Sequence, residues 1–201
     1  MPLSRPARRE HVHTREIRCR GFRREDGLWD IEGSLEDTKT YSFANRDRDG
    51  IVAGEPVHRM LVRLTLDEDL VVRAAEAQTE AGPFDLCPAI TPVFASLEGL
   101  RVGPGWRKAV LARMAGVAGC THLTELLLGP VTTTAMQTIA GARAQRHQPG
   151  AGDRPPPILD TCHALARDGD VVRRHWPEWW QERNRDQSSV DDPEPSATRR
   201  L

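Results

Sequence analysis

The chain has 201 residues, of which 38% are hydrophobic and 28% are charged, and its formal net charge is −1 at pH 7. This composition is ordinary for a globular protein, and the length suits one main hydrophobic core. No stretch reaches the roughly 20 consecutive apolar residues that cross a bilayer, which excludes a membrane-spanning helix.

Residues 1–24 are rich in arginine and contain no apolar run. They therefore lack the features of a secretory signal, and we expect a cytoplasmic protein. In that compartment the cysteines at positions 19, 87, 120 and 162 are expected to be reduced thiols. The arginines are not interleaved with aromatic residues, so nucleic acid is not an expected partner. A small molecule or a protein is the expected partner, and the sequence predicts no oligomeric state.

The first half of the chain has the patterns of β-strands. Strands are predicted over Thr14–Arg20, Leu28–Leu35 and Lys39–Phe43, separated by turns at Glu25–Gly27 and Glu36-Asp37. Such short connections are typical of a β-meander.

A further hairpin follows the polar loop at Asn45–Gly54. Residues alternate along Val57–Leu66, so that His58 shares a face with apolar side chains such as Met60 and Leu64. The acidic turn after Leu66 returns the chain into a strand over Leu70–Thr79. His58 is therefore expected to point towards the core.

The second half changes to helical periodicity. Helices are predicted over Ala89–Leu97, over Trp106–Met114 and from Thr121 onward, where Pro130 is expected to kink or split the helix. A last helix is predicted to be capped by Asp160 and to end near Gly169.

Together these elements predict an α+β fold, in which an N-terminal antiparallel β-meander packs against C-terminal helices. We expect a flexible N-terminus at residues 1–10, a single domain over residues 11–180 and a disordered tail at residues 181–201.

Several cysteine and histidine side chains of the predicted fold are candidate metal ligands. His58 faces inward from a strand, Cys87 precedes a helix, and Cys120 and His122 form a C-x-H unit at a helix start. Zinc and iron prefer these ligand types. The residues predict a mononuclear Zn or Fe site, and the alternative is that each cysteine simply fills the core.

Two other functions stay open at this point. A metal-free enzyme acting on a small organic substrate would use a cysteine nucleophile and acid–base groups, for which Glu125, Cys162 and His163 are also candidates. A binding or assembly factor would use neither a metal nor a reactive thiol. The sequence does not decide whether the protein is an enzyme.

Five segments carry a resemblance to a known family. They are C-R-G-F-R-R-E-D-G-L-W-D-I-E-G-S-L-E-D-T-K-T-Y (Cys19 to Tyr41), G-E-P-V-H-R-M (Gly54 to Met60), G-P-G-W-R (Gly103 to Arg107), G-C-T-H-L-T-E-L (Gly119 to Leu126) and L-D-T-C-H-A-L (Leu159 to Leu165). Over about residues 11–180 the chain resembles a bacterial family designated domain of unknown function 2889. That resemblance implies no particular activity.

The order of elements is also similar to that of iron–sulfur cluster scaffold proteins of the NifU and IscU type. This likeness implies that Val57-His58 takes the first ligand position, Cys87 the second, and Cys120 with His122 the third. Where the scaffolds have their first cysteine this chain has a histidine, and a mixed His/Cys set suits a single Zn or Fe ion.

Overall fold

A computed structural model describes residues 3–146, 155–156 and 158–182 of the chain. The chain divides into two compact units, residues 1–148 and residues 149–201. The flexible start at residues 1–10 and the single domain over residues 11–180 stay predictions. From residue 183 onward, the tail predicted to be disordered lies outside the described residues.

The first unit contains a four-stranded antiparallel sheet. Its strands are β1 (His13–Arg23), β2 (Trp29–Lys39), β3 (Pro56–Leu66) and β4 (Val72–Ala81), and they lie side by side in chain order. The predicted meander is confirmed, because each strand pairs with the one that follows it.

The prediction of a turn at Glu36-Asp37 followed by a strand over Lys39–Phe43 is wrong. Both acidic residues lie within β2, which continues to Lys39, while Phe43 forms only an isolated bridge with Ile51. Acidic pairs usually favour turns, but here the ion pair that Asp37 makes inside the fold outweighs that local preference.

The inner face of the sheet forms the core of this unit. On β3, Met60, Val62 and Leu64 are buried, as the alternation predicts, and β2 adds Ile31 and Leu35. His58 lies on the same face at the open end of the row, where its side chain is 14% exposed.

Helical segments cover that inner face. A 3-10 helix runs over Cys87–Leu97, where an α-helix from Ala89 was predicted, and α1 covers Trp106–Met114. A continuous helical run then consists of α2 (Thr121–Leu126), a π-helical turn (Leu127–Val131) and α3 (Thr132–Arg146). Pro130, which was predicted to kink or split the helix, lies in this π turn, since proline cannot donate the helical hydrogen bond and the backbone widens there.

A glycine lets this helical run approach the sheet. A Cβ atom built on Gly33 of β2 would lie 2.4 Å from Val131 Cγ2, which is closer than real atoms approach. The absence of a side chain at Gly33 therefore brings the π turn directly onto β2, and with it the start of α2.

The second unit contains a 3-10 turn at His163–Leu165, α4 (Asp170–His175) and a 3-10 turn at Pro177–Trp179. The predicted helix from Asp160 to Gly169 is wrong. Asp160 has a φ of 60°, and its carboxylate accepts hydrogen bonds from the backbone and side chain of Arg167, closing a loop instead of starting a helix.

Across both units, none of the described helices is long and apolar enough to cross a membrane.

Candidate metal centre

Three adjacent strands place Arg15, Asp37 and His58 in one row. Arg15 of β1 is the cross-strand partner of Asp37, and Asp37 is in turn the partner of His58 on β3. Directly paired residues of an antiparallel sheet share a face, so the three side chains point to the same side. The row lies at the end of the core face, beyond Leu35 and Met60.

Asp37 is the most buried member of the row, with 1% of its side chain exposed. Arg15 donates two hydrogen bonds to its carboxylate, from Nε to Oδ1 at 2.7 Å and from Nη2 to Oδ2 at 2.8 Å. Burial raises the pKa of Asp37, but Arg15 and His58 outweigh burial and the pKa lies below its ordinary value. Asp37 is therefore a buried carboxylate held in its charged form.

His58 is oriented by this carboxylate. Its Nδ1 lies 3.0 Å from Asp37 Oδ2. Burial and then the neighbouring His122 lower the pKa of His58, and they outweigh the opposite effect of Asp37. A neutral imidazole that donates from Nδ1 to a carboxylate keeps its lone pair on Nε2, so that Nε2 is the atom able to bind a metal.

His122 of α2 packs against His58. The centroids of the two imidazole rings are 3.9 Å apart and the ring planes are inclined by 33°. His122 is half-buried, and its Nδ1 lies 4.0 Å from the Sγ of Cys120, which immediately precedes α2. His122 of the C-x-H unit thus contacts the strand histidine.

The Cys120 thiol lies in a setting that favours its anion. Burial raises the pKa of Cys120, but the His122 side chain and the backbone amides of Leu123 and His122 outweigh burial and lower it. The half-buried Cys19 differs, since burial raises the pKa of its thiol and the side chain of Thr134 only partly offsets that rise.

Asp37, His58 and His122 together form a group able to hold an ion. One ligand atom from each lies within 4.8 Å of those of the other two. Both oxygens of Asp37 already accept hydrogen bonds from Arg15, so this carboxylate fits the role of orienting His58 better than that of direct ligand. Cys120 is not a member of this group, but its Sγ lies 4.0 Å from His122 Nδ1, and zinc bonds to sulfur and nitrogen place such atoms about 3.5 Å apart in a tetrahedral site.

The other predicted site residues are also outside this group. Cys87 begins the 3-10 helix and packs beside Gly82, where a built Cβ would lie 3.1 Å from its Sγ. It is not a member of the group formed by Asp37, His58 and His122. Glu125 is 65% exposed and pairs with Arg15 at 3.7 Å. In the second unit, Cys162 and His163 are exposed at the 3-10 turn.

Sequence reasoning did not find Asp37, Arg15 or His13, whose Nε2 lies 3.3 Å from Asp37 Oδ1. A signal for Asp37 was present. The alternation of Trp29, Ile31, Gly33 and Leu35, continued by two positions, puts Asp37 on the core face. Nothing comparable indicated Arg15 or His13, because their proximity depends on the pairing of β1 with β2.

A comparison with family models identifies the family of the chain. The model of the family described as "Protein of unknown function (DUF2889)" matches residues 13–137, a range that includes every member of the His/Asp group. The chain belongs to this family. No curated protein and no solved structure matches the chain. The likeness of this DUF2889 protein to NifU- and IscU-type scaffolds, its bacterial affiliation and its cytoplasmic location stay predictions.

Proposed function

We propose that this DUF2889 domain binds one Zn or Fe ion through His58, His122 and Cys120, with Asp37 orienting His58. The observation that carries the proposal is the meeting of Asp37, His58 and His122 at one end of the core face. Two imidazoles and a thiolate are ligands that both ions prefer. The bond between a ligand histidine and a buried carboxylate recurs at metal sites, because it holds the ring and its tautomer in place.

The surrounding charges support a cation at this place. The guanidinium of Arg15 lies against Asp37, so the charges of these two side chains cancel and the Cys120 thiolate is left to balance the ion. The role of Arg15 is then to keep Asp37 charged and immobile. In this arrangement the carboxylate acts on the metal through His58 alone.

The ligand at the fourth coordination position of the ion would determine its chemical role. If Cys87 fills it, as the sequence hypothesis has it, the site is closed and its role is structural. If water fills it, the ion is a Lewis acid that lowers the pKa of that water, and the domain has the chemistry of a hydrolase or hydratase. A mixed His/Cys set suits a single resident ion better than a transferable cluster.

Cobalt(II) absorption spectroscopy tests the ligand set. Co²⁺ added to the reduced, metal-free protein is expected to give the intense sulfur-to-cobalt charge-transfer band of a Cys120 ligand and the strong visible bands of a tetrahedral ion. Cys120→Ser should remove the charge-transfer band, or reduce it to about half if Cys87 is the fourth ligand, and His122→Gln should weaken binding. Cys19→Ser, a matched thiol outside the site, should leave the spectrum unchanged. A charge-transfer band that persists at full intensity in Cys120→Ser contradicts the assignment.

A second candidate function rests on the Cys120–His122 contact. A thiol whose pKa is lowered, 4.0 Å from an imidazole, has the parts of a nucleophile and its base. In that case Cys120 would lose its proton to His122 and its sulfur would add to the carbonyl carbon of a small organic substrate, the electron pair of the C=O π bond moving to oxygen, and no metal would be needed. Rapid alkylation of Cys120 by iodoacetamide at neutral pH in protein shown to bind no Zn or Fe would favour this candidate.

A further inference from the structure

A groove of about 390 Å³ lies between α1 and α2, outside the His/Asp group. Residues one or two turns apart on α1, Arg107, Leu111 and Met114, form one wall. Thr124 and Leu128 lie on the facing wall, and Gly129 belongs to the π turn beside it. Grooves of this size accommodate small organic ligands.

The lining of the groove combines apolar and polar residues and carries a cation at one end. Leu111, Met114 and Leu128 supply the apolar surface. Arg107 is exposed and, in the part of the chain that the structure describes, makes no ion pair and no side-chain hydrogen bond. A guanidinium free in this way can bind a carboxylate with two parallel hydrogen bonds.

The walls of the groove hold two further polar groups. Thr124 is 8% exposed, and its hydroxyl has no partner among the described residues. A rotation about its χ1 angle exchanges hydroxyl and methyl, so a polar ligand atom can satisfy it. The carboxylate of Glu125, which also lines the groove, would repel an anion, but it forms an ion pair with Arg15 at 3.7 Å.

We propose that this groove binds a small monocarboxylic acid with an apolar body. Its carboxylate would lie on Arg107, and its chain would run over Leu111, Met114 and Leu128 towards Thr124. This inference does not rest on the metal site. The groove runs along α2, the helix that also carries His122. Its lining suits small monocarboxylic acids as ligands of the domain.

Chemical-shift titration of the full chain with sodium hexanoate tests the proposal, with hexanamide and hexylamine as neutral and cationic probes of the same length. Hexanoate is expected to bind with a Kd of roughly 1 mM, typical of a ligand of this size, and to shift the amides of Leu111, Thr124 and Leu128. Arg107→Gln should weaken hexanoate binding about tenfold and leave hexanamide unaffected. Lys108→Gln, an adjacent cation that does not line the groove, should bind hexanoate like the wild type.

Three outcomes would overturn the proposal: no shifts with hexanoate at about ten times that concentration, equal binding of hexanoate and hexylamine, or unchanged affinity in Arg107→Gln. The titration is repeated in Cys120→Ser, which lacks the proposed metal ligand. Binding to the groove is expected to survive there, so failure of the metal proposal and failure of this one are distinguishable.

Discussion

Arg15 and Asp37 meet across β1 and β2 in a bidentate ion pair, with 34% of the arginine side chain and 1% of the aspartate side chain exposed. Asp37 lies on the core face between Arg15, which solvent reaches, and His58, whose Nδ1 is 3.0 Å from the same carboxylate. One buried carboxylate thus links the edge strand to the candidate metal centre, and its removal should disturb both.

Asp37→Asn is expected to lower the free energy of unfolding by about 2 kcal/mol. The substitution leaves Arg15 and His58 without their anion, and the loss is smaller than for a fully buried pair because Arg15 is partly exposed. Denaturant unfolding followed by tryptophan fluorescence measures the change. Glu36→Gln, at the preceding residue, which is an exposed partner of Arg59, is the control and should change stability by less than about 0.5 kcal/mol. Equal effects of the two substitutions would contradict the role given to Asp37.

Asp67 should make the β3–β4 hairpin sensitive to acid. Its Oδ1 accepts the backbone N–H groups of Asp69 and Val71 at 2.8 and 2.9 Å, and its other oxygen binds Arg73. Burial raises the pKa of Asp67, but these hydrogen bonds and Arg73 outweigh it, so the pKa is lowered. A carboxylate with a lowered pKa stabilises the fold above its unfolded pKa, near 3.9, and this contribution is lost as pH falls through the folded pKa.

Asp67→Ala should therefore cost about 1–2 kcal/mol at neutral pH, and the difference from the wild type should shrink as pH falls from about 5 to about 2. Unfolding curves recorded at a series of pH values test this. Glu76→Gln, which removes an exposed pair with Arg63, is the matched control and should show little dependence on pH. A difference that stays constant down to about pH 2 would contradict the assignment to the Asp67 charge.

Gly33→Ala is expected to lower the free energy of unfolding by about 1–3 kcal/mol, because its new methyl group would overlap Val131 in the π turn. Gly141→Ala in α3 meets no atom within 4 Å and should instead raise stability by up to about 1 kcal/mol. Thermal or denaturant unfolding of both variants measures the contrast. Wild-type stability in Gly33→Ala would show that the helical run does not pack on β2 as described.

Zinc should protect Cys120 from alkylation. In metal-free protein at pH 7, iodoacetamide is expected to modify Cys120 faster than Cys19, since the pKa of the first thiol is lowered and that of the second is raised. One equivalent of Zn²⁺ should slow the reaction at Cys120 and leave Cys19 unchanged. Peptide mass spectrometry follows the two sites separately, and an unprotected Cys120 in the presence of zinc would favour the nucleophile over the metal ligand.

The periodicity of the sequence predicted most of the fold, and it did so where side-chain alternation decides the structure. His58 was placed on the inner face of β3 for this reason, and the break at Pro130 followed from the chemistry of proline. Asp37 was misread as part of a turn because an acidic pair is a strong local signal, whereas the arginine that stabilises it in β2 lies on another strand. Asp160 failed as a cap because it adopts a left-handed conformation that the sequence pattern did not reveal.

The composition of the site was predicted only in part. Cys120 and His122 are neighbours in the chain, so their proximity was visible, but the approach of His122 to His58 depends on how the helical run packs on the sheet. The same packing determines which thiols reach the histidines. Cys87 as a ligand therefore stays a prediction.

The most direct test of the account is the metal content of the reduced, full-length protein, measured by inductively coupled plasma mass spectrometry after exhaustive removal of loosely bound ions. The wild type is predicted to retain about one Zn or Fe ion per chain. Cys120→Ala and His58→Gln should each lose most of it, while Cys19→Ala keeps it. A wild-type protein without stoichiometric metal, or full retention in Cys120→Ala, would contradict the central claim.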